Sequence, residues 1–221
     1  MKVLIFGATG MVGQGVLREC LQAPDVELTV ALGRTPTGIT KPWFREIVHR
    51  DLWSYAAIEA SLAGLDACFF CLGVASNGRS KMEYERITYD LTMAAAKTLS
   101  RLNPEMTFIY VSGSGTDSTE HGWMRWAQVK GRTENALLRL PFKAYMFRPG
   151  FIEPMDGIQS KTPLYRVFYS LGKPLFPLLR RWLPNQVVST RDMGQAMLAV
   201  ARNGYEKRIL ETRDIRAVLE S

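Results

Sequence analysis

The sequence predicts an α/β protein built on a doubly wound parallel sheet with a small C-terminal lobe, and three observations carry the prediction. The chain opens with Lys2-Val3-Leu4-Ile5-Phe6, a run suited to a buried strand. This passes at once through Gly7-Ala8-Thr9-Gly10-Met11-Val12-Gly13 into a helical apolar pattern from Met11 to Leu21. Short apolar strands then alternate with long helical stretches as far as residue 150. One of those strands, Leu65 to Leu72, is almost continuously apolar, as a central parallel strand covered on both faces should be.

The elements follow in order. Pro24-Asp25 turns the chain into a second strand, Leu28 to Leu32, closed by Gly33-Arg34. Thr35 to Pro42 is a loop rich in Thr, Pro and Gly, and Phe44 to His49 is a third strand left through Arg50-Asp51-Leu52. Ser54 to Leu62 reads as a helix with Ser54 as N-cap, ended by Ala63-Gly64. After the fourth strand, Lys81 to Leu102 is a long helix that Asn103-Pro104 stops. Thr107 to Val111 is a fifth strand, Trp123 to Leu140 another long helix, and Ala144 to Phe147 a sixth strand running into Arg148-Pro149-Gly150. Phe151 to Pro163 reads as a loop, Thr190 to Ala201 as a helix beginning near Thr190 or Asp192, and Ile209-Leu210 as an edge strand. The whole of 1–221 forms one domain, in which 151–221 is expected as a small lobe laid over the crevice at the strand ends.

Composition narrows the function. The length is ample for a full core, and no apolar run is long enough to span a membrane. The three cysteines Cys20, Cys68 and Cys71 lie in apolar surroundings, an odd and sparse set that predicts reduced thiols. With a strand at the N-terminus in place of a leader, they point to the cytoplasm. Cys68 and Cys71 have C-x-x-C spacing but fall on a buried strand. With His49 and His121 the sole histidines, no metal cluster is expected. The net charge of +7 is scattered rather than clustered and carries no nucleic-acid motif; it suits a polyanionic small ligand or an anionic surface.

The opening segment assigns that ligand. A strand, a glycine turn and a helix together make a dinucleotide cradle. Gly7 permits the turn, Gly10 lets backbone approach a pyrophosphate, and Gly13 lets the helix pack on the strand. Thr9, Met11 and Val12 complete the loop, and the helix N-terminus offers N–H groups to phosphate. The bland alternative is a tight turn that binds nothing. NAD-preferring proteins place an acid after the second strand to hold the ribose 2′-hydroxyl; here Leu32-Gly33-Arg34 ends in an arginine able to take a 2′-phosphate in two bonds. NADP(H) is therefore expected over NAD(H), unless Arg34 is a plain surface arginine. Asp51 and Leu52 can meet adenine, and Cys71-Leu72-Gly73 passes near the nicotinamide ribose.

Taken together, the glycine turn, Asp51-Leu52, Cys71-Leu72-Gly73, Tyr110-Val111-Ser112-Gly113 and Arg148-Pro149-Gly150 resemble an atypical short-chain dehydrogenase/reductase. The likeness is to the small NAD(P)-binding proteins of the Tat-interacting-oxidoreductase kind, within the wider epimerase/dehydratase and NmrA-like group. It implies an NAD(P)-binding Rossmann fold, a nicotinamide cofactor and backbone contact at Pro149 and Gly150. The family's catalytic pattern is a serine after the fifth strand, then Tyr-x-x-x-Lys. Ser112 matches the serine, with Ser114 second, and Lys130 matches the lysine, but the tyrosine position holds Trp126. An indole N–H donates without titrating, so the usual proton transfer is lost while Lys130 can still hold the ribose. Trp126 is otherwise a packing residue. His121 or, less directly, Tyr84 and Tyr89 could supply the missing acid.

Leu164 to Leu183 sets Tyr165, Phe168, Tyr169, Phe176 and Trp182 among basic residues, which suits a core face, a substrate lid or a peripheral membrane contact. Two functions remain. One is an NADP(H)-dependent oxidoreductase on a small carbonyl or quinone-like substrate. The other is a non-catalytic NADP(H) sensor or scaffold working through protein partners. The expected assembly is a monomer or homodimer, without nucleic acid.

Overall fold

The fold is that of a computed structural model, which describes residues 1–158 and 184–220. Seven parallel strands form the main sheet. They are β1 (Lys2–Phe6), β2 (Leu28–Gly33), β3 (Phe44–Val48), β4 (Ala67–Phe70), β5 (Thr107–Val111), β6 (Lys143–Arg148) and β9 (Ile209–Glu211). Their spatial order is β3-β2-β1-β4-β5-β6-β9, so the winding reverses between β1 and β4. A second, two-stranded parallel sheet pairs β7 (Phe151–Glu153) with β8 (Val187–Ser189).

Helices cover both faces because successive strand residues point to opposite sides. Val3, Ile5, Phe69, Ile109 and Phe147 face a layer made by α1 (Met11–Gln22) and α5 (Thr190–Asn203). Leu4, Phe6, Phe70, Phe108 and Tyr110 face α3 (Leu91–Leu102) and α4 (Arg125–Leu138). Glycines set how closely α1 and α5 approach: a Cβ on Gly15 would stand 2.6 Å from Thr190, and one on Gly194 2.7 Å from the Glu19 side chain.

Several elements differ from the sequence expectation. Ser54 caps nothing; residues 56–61 form a 3-10 turn, Ala56–Ser61, entered from Tyr55 without a side-chain cap, and the Ser54 carbonyl bonds the His49 ring instead. The long helix after β4 is three pieces: α2 (Lys81–Glu85), capped by Ser80, a π-helical turn (Arg86–Asp90) and α3. The expected loop at 151 begins with β7, because these residues continue beside β8 rather than turning to solvent. Ser189 caps α5, with Asp192 completing a capping box, and a short helix α6 (Thr212–Ala217) follows β9. Of the stretch expected as a lobe, β9 joins the main sheet and α5 its helical layer. The aromatic and basic run 164–183, with its lid and membrane readings, lies outside the described residues. Among the described residues, no helix is long and apolar enough to cross a membrane.

Candidate dinucleotide and active site

A crevice opens at the carboxyl ends of the strands where the winding reverses, the position at which such sheets receive ligands. Its main chamber, about 990 Å³, is lined on one side by Gly7, Thr9, Gly10, Met11 and Val12. Cys71, Leu72, Gly73, Ser112, Ser114, Trp126, Lys130, Pro149 and Gly150 form the other walls. An arm of about 430 Å³ continues over β2 between Arg34, Thr35, Thr37, Glu46, Leu52 and Leu72. Gly7, Thr9, Arg34 and Leu72 line both, so chamber and arm are one channel.

The glycine turn has a local physical cause at each position. Gly7 sits at φ 76°, and a Cβ there would stand 2.8 Å from the backbone of Cys71 and Leu72. A Cβ on Gly13 would stand 2.1 Å from the Gly7 carbonyl oxygen, so Gly13 is a packing residue and does not line the channel. Gly10 differs: the nearest atom to its added Cβ is the Gly7 oxygen at 3.3 Å, and its free side faces the chamber. Gly10 is also the N-cap of α1, and no side chain caps the helix. The first N–H groups of α1 therefore remain available to an anion entering over Gly10.

Across the chamber, Lys130 and Trp126 lie one helical turn apart on α4. The Lys130 ammonium donates to the Ser112 carbonyl, and burial pulls its pKa down to about 8, partly offset by the Glu134 carboxylate. Ser112 is buried and its hydroxyl donates to the Phe147 carbonyl at 3.2 Å. The Trp126 indole lies against the turn after β5, with Cη2 3.6 Å from where a Cβ on Gly115 would stand. The register of α4 is fixed behind the site. A Cβ on Gly131 would collide with the Asp117 carbonyl at 1.7 Å, and the fully buried Glu134 accepts from Arg148 Nε at 3.1 and 3.2 Å.

Some expected residues stand elsewhere. Asp51 is exposed and turned back on its own loop, accepting from the Trp53 N–H at 3.0 Å; Leu52 alone of that pair lines the arm. His121 is exposed and outside the chamber lining. Tyr89 packs under the Arg132 guanidinium. Tyr84 does line the chamber, and burial raises its pKa, with a Thr88 hydrogen bond opposing, so it stays a neutral phenol at physiological pH. Glu46 and Gln186 also line the channel, and the sequence pattern marks neither. An acid inside an edge strand reads as solvated, and Gln186 is brought in through the pairing of β7 with β8.

No protein-family model matches the sequence. The chain is 30% identical to the leucinostatins biosynthesis cluster protein T of Purpureocillium lilacinum, across 89% of its own length and 83% of that protein's. It is 25% identical to the mitochondrial protein FMP52 of Eremothecium gossypii, over 100% of the chain and 98% of that protein. Among solved structures, a short-chain dehydrogenase/reductase oxidoreductase from Burkholderia thailandensis superposes with a TM-score of 0.68 at 16% identity, covering 100% of this chain and 93% of that one. The NADPH complex of Gre2 from Candida albicans gives 0.69 at 13%, covering 96% and 78%.

These names correct the cytoplasmic location: the FMP52 proteins of Eremothecium gossypii, Debaryomyces hansenii and Candida glabrata are all named mitochondrial. The thiols gave no compartment signal because burial makes them inert. It raises Cys20 and Cys68 far above the ordinary thiol range and pushes Cys71 up to about 12.

Proposed function

We propose that the chain, which has the fold of the short-chain dehydrogenase/reductases and is related to the leucinostatins biosynthesis cluster protein T, is an NADP(H)-binding oxidoreductase of small carbonyl or quinone-like compounds. The observation that carries the cofactor choice is the arm of the channel. Arg34 lines it at the end of β2, where an NAD site would present an acid, and makes no ion pair among the described residues.

The residues present fit a dinucleotide. Gly10 and the uncapped start of α1 receive the pyrophosphate, Leu52 and Leu72 flank the adenine, Arg34 with Thr35 takes the 2′-phosphate, and Lys130 reaches the nicotinamide ribose. When bound, the reduced nicotinamide supplies hydride. Around it the chain's own groups do less than in a typical relative. Lys130, lowered to about 8, is largely protonated at neutral pH and binds hydroxyl oxygen as a donor. The Ser112 hydroxyl proton is spent on Phe147, leaving its oxygen as an acceptor. Trp126 narrows the chamber where a phenol would give its proton.

Trp126 also favours a second reading, an NADP(H) sensor or scaffold working through protein partners, in which cofactor binding is retained and turnover is not. Titration of NADPH and NADH by quenching of tryptophan fluorescence tests the shared cofactor claim. The unaltered protein is expected to bind NADPH about ten- to a hundredfold more tightly, and Arg34→Ala to remove most of that margin. Equal affinities in the unaltered protein overturn it.

A further inference from the structure

The loop joining β2 to β3 forms the outer wall of the arm that holds Arg34. Its middle is tied to the sheet by one short bond: the Thr37 N–H donates to Glu46 Oε1 at 2.6 Å. Glu46 is half-buried on β3, opposite Ala31 of β2, and lines the arm together with Arg34, Thr35 and Thr37. Beyond Thr37 the loop turns back, with Gly38 at φ 79° and the Ile39 N–H on the Thr37 hydroxyl at 3.3 Å. Arg34 and Thr35 therefore stand on a short arc fixed at one end by the β2–β3 ladder and at the other by the Glu46 carboxylate.

A carboxylate inside an anion site calls for a physical reason, because its charge opposes a phosphate. The reason here is the bond itself. The Glu46 carboxylate oxygen is the acceptor that the Thr37 N–H reaches, and it is directed at the loop rather than at Arg34. We propose that Glu46 is the positioning residue of the 2′-phosphate site: by latching Thr37 it holds the arc on which Arg34 and Thr35 converge. The inference rests on the NADP(H) reading above. It requires an acceptor oxygen at that reach and no negative charge.

Three substitutions, with folding checked by circular dichroism, separate these requirements: Glu46→Gln keeps the acceptor without the charge, Glu46→Asp shortens the reach, and Glu46→Ala removes the latch. NADPH and NADH affinities are read for each by calorimetric titration. Glu46→Gln is expected to hold NADPH as tightly as the unaltered protein or more so. Glu46→Ala and Glu46→Asp are expected to weaken NADPH on the order of tenfold with NADH unchanged. Glu46→Ala with its NADPH margin intact, Glu46→Gln failing alongside it, or an equal loss for both cofactors overturns the latch while leaving the cofactor reading in place. An unaltered protein that binds no NADPH takes both down.

Discussion

Trp126 is the residue we propose to limit the chemistry of the site. Its indole stands one turn from Lys130 in the chamber that also holds Ser112, where a phenol would complete a proton path. Trp126→Tyr shortens an aromatic side chain without adding charge, so the fold should tolerate it. NADPH consumption with small quinones or aldehydes is expected to rise on the order of 10²-fold, and to fall back when Ser112→Ala is added. A parent that already turns over briskly and is slowed by Trp126→Tyr would assign the proton to another group, with Tyr84 the phenol that lines the chamber. Lys130 offers a second test. Burial holds its pKa at about 8 in the folded protein against an ordinary 10.5, so between those values the unfolded chain carries more protons and stability rises with pH. The stability of the unaltered protein minus that of Lys130→Met, from urea unfolding, should climb from pH 8 to pH 10.5 and stay flat below pH 7. A flat difference throughout would place the ammonium in solvent. The identities and spacing of Ser112, Trp126 and Lys130 were legible in the sequence. The outward positions of His121 and Asp51 were not, because local turn bonds set them and no spacing rule reports those.

The glycine turn works as an element with divided roles, and variants should separate them. Gly10→Val adds atoms on the chamber side of a residue with ordinary φ, so cofactor binding is lost while the circular dichroism spectrum is kept. Gly13→Ala drives a methyl into the Gly7 carbonyl, so melting temperature falls. Unchanged cofactor affinity in a folded Gly10→Val protein would refute the phosphate cradle. This turn was readable because strand, glycines and helix are contiguous. The π-helical turn at Arg86–Asp90 was not, since its apolar residues keep a helical spacing. Nor was β7, whose partner β8 is distant in sequence and whose three residues carry too little pattern to register.

Across the whole molecule, the alternation of strands and helices foretold the layers and the parallel sheet, and the reversal between β1 and β4 places the crevice. The edge strand at Ile209-Leu210 was legible and is β9, but the packing of α5 in the main helical layer was hidden, because a helix looks alike in a lobe or a layer. What locks the far side of the crevice is a buried pair, Glu134 of α4 with Arg148 of β6, which Glu211 of β9 joins at 3.3 Å. Removing Glu134 leaves the buried Arg148 with the half-exposed Glu211 as its charged partner, so Glu134→Ala is expected to cost about 3 kcal/mol in urea unfolding. A loss under about 1 kcal/mol would mean that water reaches the pair. We propose that one channel, from Arg34 past Gly10 to Lys130, holds a phosphorylated dinucleotide. The most direct test is a crystal structure of the protein grown with NADPH. The 2′-phosphate is expected on Arg34, the pyrophosphate over Gly10 at the start of α1, and the nicotinamide between Trp126 and Lys130. Crystals that show the chain folded as described, with the channel empty or the dinucleotide bound elsewhere, would contradict it.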